Sequence, residues 1–356
     1  MVQDETNPQG AEGQNPDCSG AAASNDMSLG MESILPAAED SEVQQIAELF
    51  EAISREAAKV LVGQEDLIEQ LLVAILSGGN VLLEGVPGIA KTMAARVLAR
   101  TISTDFSRIQ FTPDLMPADI LGTMVYNMKE GGFEFRKGPI FSNIILIDEV
   151  NRAPAKTQAA LMEVMEERQV TIEGTTYPMA YPFFIIATQN PVEQEGTYKL
   201  PEAQMDRFLF RIQMDYPDLE GEREILRRFR SDFQGRQEED VDAVVGPEDL
   251  QKAQKAVEQV HIKDELIDYL AAIVLATRNN GDLYLGASPR ASLAMLKSAK
   301  ALALIRGRNF VTPDDIKDVA HPVLNHRIIL SHEREMEGMD ARSIIEELVA
   351  GIEVPR

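Results

Sequence analysis

Two short stretches of this 356-residue chain carry residue types that handle phosphate. The first is Gly85-Val86-Pro87-Gly88-Ile89-Ala90-Lys91-Thr92, directly after the apolar run Asn80 to Glu84. A phosphate loop needs backbone N–H groups converging on one concavity at the start of a helix. Gly85 and Gly88 allow that path. Lys91 would reach the β and γ phosphates, the Thr92 hydroxyl would sit on Mg²⁺, and Met93 opens the helix required next, expected over Met93 to Ile102. Ala90 stands where Gly is usual before the lysine, and is tolerated if it already has a helical φ. The plain alternative is a Gly/Pro turn that happens to contain a lysine.

The second stretch is Ile144-Ile-Leu-Ile-Asp148-Glu149. A buried strand ending in two acids is costly unless they have a cation or a proton-transfer role. Asp148 fits a Mg²⁺-side carboxylate and Glu149 a base that polarises an attacking water. A strand whose polar end simply meets solvent would look the same in isolation. Three more residues could join them. Asn190, after Phe183-Phe-Ile-Ile-Ala-Thr-Gln, suits a hydrogen bond to water or γ-phosphate, or an ordinary Asn-Pro turn. Arg207 precedes an apolar run, and Arg290 follows Ser288-Pro289. Each is either a surface ion-pairing residue or a supplier of transition-state charge, and periodicity does not decide between these.

The elements that must position these residues follow from the hydrophobic pattern. Short apolar runs at Asn80–Glu84, Phe106–Gln110, Ile144–Asp148, Phe183–Thr188 and Phe208–Gln213 predict buried strands. Helical patterns separate several of them, which argues for a parallel sheet covered on both faces. Two helices precede the sheet, one from about Ser41 through Val60 and one from Glu65 to Ser77. Beyond Tyr216-Pro217 the pattern is helical: Leu219–Phe229, Pro247–Val257, Lys263–Arg278, Pro289–Arg306 and Asp314–Leu324, with Ala341–Ala350 in the last stretch. Thr312 is placed to cap the helix that opens at Pro313. Ser231–Asp242 is expected to be a loop.

Composition bounds what the chain can be. It holds 34 basic and 58 acidic residues, a net charge of −24. Such a surface repels phosphate backbones, so sequence-independent nucleic-acid binding is not expected. The single cysteine, Cys18, excludes an intrachain disulfide and a thiolate metal cluster. No apolar run approaches the ~18 residues of a membrane span, and the N-terminus lacks the pattern of a secretory signal, so a cytoplasmic location is expected. Residues 1–40 contain eight acidic residues and no Lys or Arg, with few large apolar side chains. They are expected to form a disordered acidic tail.

Taken together, the pieces resemble an AAA+ ATPase, and more closely the MoxR family, within the helix-2-insert-like clade. The residues that carry the likeness are Val62-Gly63-Gln64, Leu83 to Thr92, Gln110-Phe-Thr-Pro-Asp-Leu-Met-Pro-Ala-Asp-Ile120, Asp148-Glu-Val-Asn-Arg-Ala-Pro154, Ala187-Thr-Gln-Asn-Pro191, Leu200 to Phe208 and Ser288-Pro-Arg-Ala291. Ala90 is the form usual in this family. The resemblance implies a P-loop NTPase fold, an α/β parallel sheet core with helices on both faces, followed by a small all-α lid domain. It suggests boundaries of 41–216 for the α/β domain and 217–356 for the lid and C-terminal segment. It also implies two hairpin insertions, about 123–138 and 168–182. The cofactors implied are ATP and Mg²⁺.

By that resemblance residues 85 to 93 bind the nucleotide, with Thr92 and Asp148 on Mg²⁺ and Glu149 as catalytic base. Asn190 is similar to sensor 1 and Arg290 to sensor 2. Arg207 is similar to the arginine finger that reaches a neighbouring subunit's nucleotide. Val62 and Gly63 are similar to the segment beside adenine, and Gln110 to the polar residue that restrains the catalytic glutamate. The family implies a homo-oligomer, a hexameric ring, working as a chaperone-like hydrolase on a client protein, including partners with a von Willebrand factor A domain. Two other classes compete. A nucleotide-dependent scaffold with negligible turnover would need no base, and a nucleic-acid motor would need a basic surface. A GTPase would need an Asn-Lys-x-Asp segment, which the chain lacks.

Overall fold

The computed structural model describes residues 40–85, 91–190, 197–230 and 240–355. The acidic tail, apart from Asp40, lies outside the described residues. So do Val86, Pro87, Gly88, Ile89 and Ala90 of the phosphate loop and most of the loop expected at 231–242.

The chain opens with α1 (Asp40–Ala58), α2 (Glu65–Leu76), β1 (Val81–Glu84), α3 (Lys91–Thr101) and β2 (Phe106–Gln110). A short α4 (Pro117–Leu121) leads into a hairpin, β3 (Gly122–Asn127) and β4 (Gly132–Lys137). Next come β5 (Ile144–Asp148), α5 (Ala155–Glu167) and a second hairpin, β6 (Gln169–Ile172) and β7 (Thr175–Pro178). β8 (Phe184–Gln189), α6 (Glu202–Met205) and β9 (Phe210–Gln213) complete this part. The rest is α7 (Leu219–Phe229), α8 (Pro247–Gln259), α9 (Asp264–Arg278), β10 (Leu283–Leu285), α10 (Pro289–Ile305), α11 (Pro313–Leu324), β11 (Ile329–Leu330), α12 (His332–Met336) and α13 (Ala341–Ala350).

Five strands form one parallel sheet in the order β2-β5-β8-β1-β9. The apolar runs of the inner strands β1, β5 and β8 have a simple cause, while the edge strands β2 and β9 are interrupted by Ser107, Arg108 and Arg211. Successive side chains point to opposite faces, and both faces are covered. Val81, Leu83, Ile144, Leu146, Phe184 and Ile186 enter a core shared with α1 to α3 and the later helices. Leu82, Ile145, Ile147, Ile185 and Ala187 enter a second core with α5. Because the strands are parallel, their C-terminal ends share one edge of the sheet: Glu84 pairs with Gln189 and Gln213, and Gln110 with Asp148. The N-terminal ends share the other edge.

Thr312 caps α11 as expected, its hydroxyl accepting from the Asp315 N–H, and Asp315 returns a bond to the Thr312 N–H. The carboxyl of Asp315 is fully buried. Burial would raise its pKa, but bonds from Arg308 and Thr312 outweigh that and lower it. The hairpins are separate two-stranded sheets. Glu173 and Gly174 both have positive φ, the geometry of a tight hairpin turn. Phe135 of one hairpin packs on Tyr177 of the other, with ring centroids 4.4 Å apart. The helical part carries two additions to the sequence expectation: β10 and β11 pair as a short antiparallel ribbon, and α12 forms over His332–Met336.

Candidate functional site

The C-terminal edge of the sheet collects the phosphate-type residues. Lys91 is the first residue of α3, and its Nζ donates to the Gly85 carbonyl and lies 3.5 Å from that of Gln189. Burial lowers its pKa, while the carboxylates of Asp148, Glu84 and Glu149 pull it back up. Glu84 is buried beside it, held by Arg211 Nε at 2.7 Å. Thr92 is half-buried in the first turn of α3, and Met93 turns its side chain into the core.

Asp148 and Glu149 end β5. The Asp148 carboxylate accepts from Arg108 Nε at 2.5 Å and from Thr188 Oγ1 at 3.2 Å. Glu149 has φ 57° and ψ 52°, a left-handed conformation that costs a non-glycine residue about 1–3 kcal/mol. Its own N–H donates to Thr188 Oγ1 at 3.0 Å, which helps fix that conformation. Its Oε2 accepts from Gln110 Nε2 at 2.8 Å and pairs with Arg152 Nε at 2.9 Å. Arg108 and Gln110 are two apart on β2, so one face of that strand serves both acids. Asn190, buried, follows β8. The Gln189 Oε1 atom is buried without a hydrogen-bond partner among the described residues.

This donor set suits a hard cation. A carboxylate and a hydroxyl, Asp148 and Thr92, are the ligands Mg²⁺ takes alongside phosphate oxygens and water. Beside the same edge is a cavity of about 540 Å³, lined by Gly63, Gln64, Gln213, Met214, Tyr216 and His321 among others. Gly63 thus lines a cavity next to the strand ends, the side on which α/β sheets bind ligands. Val62 is not among its lining residues.

The two arginines are elsewhere. Arg207 precedes β9, and the Leu209 N–H donates to the Asn80 carbonyl just ahead of β1. Arg207 therefore sits at the N-terminal edge of the sheet, a strand length of about 13 Å or more from the phosphate edge. Its Nη1 donates to the Met162 carbonyl at 2.8 Å, and its Nη2 is 3.1 Å from Glu166 Oε2. Arg290 Nη2 takes the other oxygen of the same carboxylate, Oε1, at 2.5 Å. The structure thus gathers Lys91, Asp148, Glu149, Gln110 and Asn190 at one edge and Arg207 with Arg290 at the other.

Neighbouring groups stitch the later helices to this second cluster. Asp206 accepts from Ser288 Oγ at 2.9 Å and from Arg327 Nε at 2.7 Å. The Arg327 side chain is 3 % exposed and also donates to the carbonyls of Asp206, Phe208 and Leu209. His326 Nε2 lies 3.0 Å from the Phe208 carbonyl oxygen. Sequence reasoning missed Arg108, Arg152, Glu166, Asp206 and Arg327. The spacing of two between Arg108 and Gln110 on a strand was a usable signal. Arg152 pairs with Glu149 only three residues away, whereas Glu166, Asp206 and Arg327 pair across the fold and leave no local pattern.

The comparisons with known proteins agree with this geometry. Residues 80–210 match the model of the ATPase family associated with various cellular activities (AAA), and residues 275–348 match the AAA lid domain. The chain is 44% identical to Chaperone MoxR1 of Mycobacterium tuberculosis, over 85% of this chain and 81% of that protein. It is 46% identical to the YeaC protein of Bacillus subtilis, over 83% of this chain and 92% of that one. A crystal structure of a proposed ATPase from Cytophaga hutchinsonii superposes with a TM-score of 0.82 at 45% identity, covering 89% of this chain and 98% of that one. With the phosphate-type residues at the C-terminal edge, a lid behind the sheet and relatives at this identity, the chain belongs to the MoxR family of AAA+ ATPases.

Proposed function

We propose that the chain hydrolyses ATP with Mg²⁺ in an oligomeric ring, and uses that cycle to remodel or mature partner proteins. The observation that carries the reading is the separation of its two charged clusters. Lys91, Asp148 and Glu149 can hold phosphate and activate water, but Arg207 and Arg290 stand at the opposite edge of the same sheet. A group that far away cannot neutralise charge at its own subunit's γ-phosphate. A neighbouring subunit can bring it there, which makes a ring the natural assembly.

In this reading the backbone from Gly85 to Met93 cradles the phosphates, including Val86, Pro87, Gly88, Ile89 and Ala90, and Lys91 supplies charge. Thr92 and Asp148 hold Mg²⁺, which would neutralise the β and γ oxygens. Glu149 takes a proton from water once Gln110 and Arg152 release its Oε2. Asn190 orients that water, and the cavity at Gly63 takes the base, with Val62 beside it. Residues 41–216 act as the nucleotide domain and 217–356 as the lid. The hairpins offer a client surface, since Met128 is 90% and Phe133 71% exposed. The client class that the family suggests is a protein with a von Willebrand factor A domain. The proposed setting is the cytoplasm, and no helix among the described residues is long and apolar enough to cross a membrane.

The test is light scattering during size-exclusion chromatography with ATP in the buffer, run with turnover on wild type and Glu149→Gln. Assembly near six subunits, with turnover lost only in the variant, is expected. A monomer that binds ATP without turnover would overturn the ring.

A further inference from the structure

Arg207 and Arg290 come from different elements, α10 and the turn ahead of β9, yet share one carboxylate. Two guanidinium cations held close together repel, and a carboxylate between them offsets that repulsion. Glu166 is that anion. It gives one oxygen to each, 3.1 Å from Arg207 and 2.5 Å from Arg290. A second tether, the Met162 carbonyl one turn back on α5, fixes the plane of the Arg207 guanidinium. Ser288 at the start of α10 is bonded to Asp206, the residue before Arg207, so the two arginine-bearing segments are also joined directly.

Glu166 is the penultimate residue of α5. At the other end of that helix, Gln158 Nε2 donates to the carbonyl of Val150, the residue after Glu149. A helix segment of about 12 Å, from Gln158 to Glu166, therefore links the neighbourhood of the two acids of a subunit's own site to its arginine pair. An arginine uses only one or two of its five N–H donors here, so the remaining donors are available to a phosphate without Glu166 letting go.

We propose that Glu166 is a positioning residue. It holds Arg207 and Arg290 as one two-guanidinium fork, which a subunit presents to the nucleotide of its neighbour. The proposal rests on the reading of Arg207 as a group that acts across a subunit boundary. The ligand of the fork is the terminal phosphate of a nucleoside triphosphate held by another copy of this chain. Removing the Glu166 charge leaves two cations in mutual repulsion, so they splay and the fork is lost. Catalysis falls while nucleotide binding by the subunit itself is untouched, because Glu166 is remote from Lys91.

The experiment uses full-length chains carrying Glu166→Gln, Glu166→Asp, Arg207→Ala or Lys91→Ala, each checked by thermal melting. Glu166 is 38% exposed, so these changes are expected to leave the melt near wild type. Glu166→Gln is expected to lower kcat about 10- to 100-fold with KM for ATP nearly constant, the size of a misplaced catalytic group. Glu166→Asp, which keeps the charge, is expected to recover part of the loss. Each defective chain is then mixed with Lys91→Ala subunits, which cannot hold phosphate but carry the intact fork. Rescue of both Arg207→Ala and Glu166→Gln supports the proposal. Rescue of Arg207→Ala alone, or wild-type kcat in Glu166→Gln, overturns the role of Glu166 and leaves the ring reading standing. Failure to rescue Arg207→Ala overturns the ring reading, and the role of Glu166 with it.

Discussion

The two edges of the central sheet are built on different principles. At the C-terminal edge the charged groups are held ready but occupied. Asp148 is paired with Arg108, Glu149 with Gln110 and Arg152, and the Glu149 backbone is strained. At the N-terminal edge the polar groups knit the lid to the sheet. Asp206, Arg327, His326 and Glu166 form bonds across 80 or more residues of sequence in most cases. In the proposed reading the first edge holds the reactive groups and the second holds the geometry. A change at the first should cost rate and leave folding alone, whereas a change deep in the second should cost folding. Arg207 and Arg290 are the exception, because they lie on the structural edge and are half-exposed.

That exception is the sharpest place to break the comparison. Arg207→Ala is expected to lower kcat about 10³- to 10⁵-fold, the range of a transition-state arginine, with the melting midpoint nearly unchanged. Steady-state ATPase assays beside a thermal melt decide it. A large drop in the melt would return Arg207 to the structural group. Glu149→Gln comes next, at about 10²- to 10⁴-fold in kcat with ATP affinity retained, as for loss of a general base. It should also relieve nothing at Thr188, whose bond is to the Glu149 backbone. Undiminished turnover in this variant would remove Glu149 from the chemistry.

The reactive edge was largely legible in the sequence and the structural edge was not. Lys91, Asp148 and Glu149 stand at the junctions of strand and loop, where a change in hydrophobic period is visible from a few residues. The same holds for the inner strands β1, β5 and β8, whose two-sided burial gives apolar runs, and for the Thr312 cap. The bond from Gln110 to Glu149 was reachable only through the family likeness. Glu166 and Asp206 read as ordinary surface acids, because their partners are 41, 124 and 121 positions away. α12 and the β10–β11 ribbon were missed because five, three and two residues are too few to show a period.

Within the structural edge, Arg327 is the test of what holds the lid. Its side chain is almost fully buried against Asp206 and four backbone carbonyls, those of Asp206, Phe208, Leu209 and Val323. Arg327→Met removes the cation and strands the Asp206 carboxylate, and breaking one partner of such a buried pair costs about 3–5 kcal/mol. Denaturant unfolding of both variants measures this. The double variant Asp206→Asn with Arg327→Met should recover part of the loss, since no uncompensated charge remains. If the single variant loses less than about 1 kcal/mol, the lid is held by its apolar core and not by this network.

The smallest effect separates the edges by pH. His326 is fully buried, so desolvation, reinforced by the adjacent Arg327 charge, holds its pKa well below the ordinary 6.5. In the unfolded chain it titrates near that ordinary value. As pH falls through 6.5 the unfolded state takes up a proton that the folded state refuses, so stability declines, and above 6.5 His326 contributes no slope. The decline has a limiting slope of about 1.4 kcal/mol per pH unit until the depressed folded pKa is reached. His326→Gln, whose Nε2 can donate to the Phe208 carbonyl in place of the ring Nε2, should be less stable than wild type at pH 7.5 and should lose less on going to pH 5.5. Denaturant melts at the two pH values read the difference directly. Equal losses in both proteins would mean that the acid sensitivity comes from groups other than His326, and the two edges would no longer be separable by proton linkage.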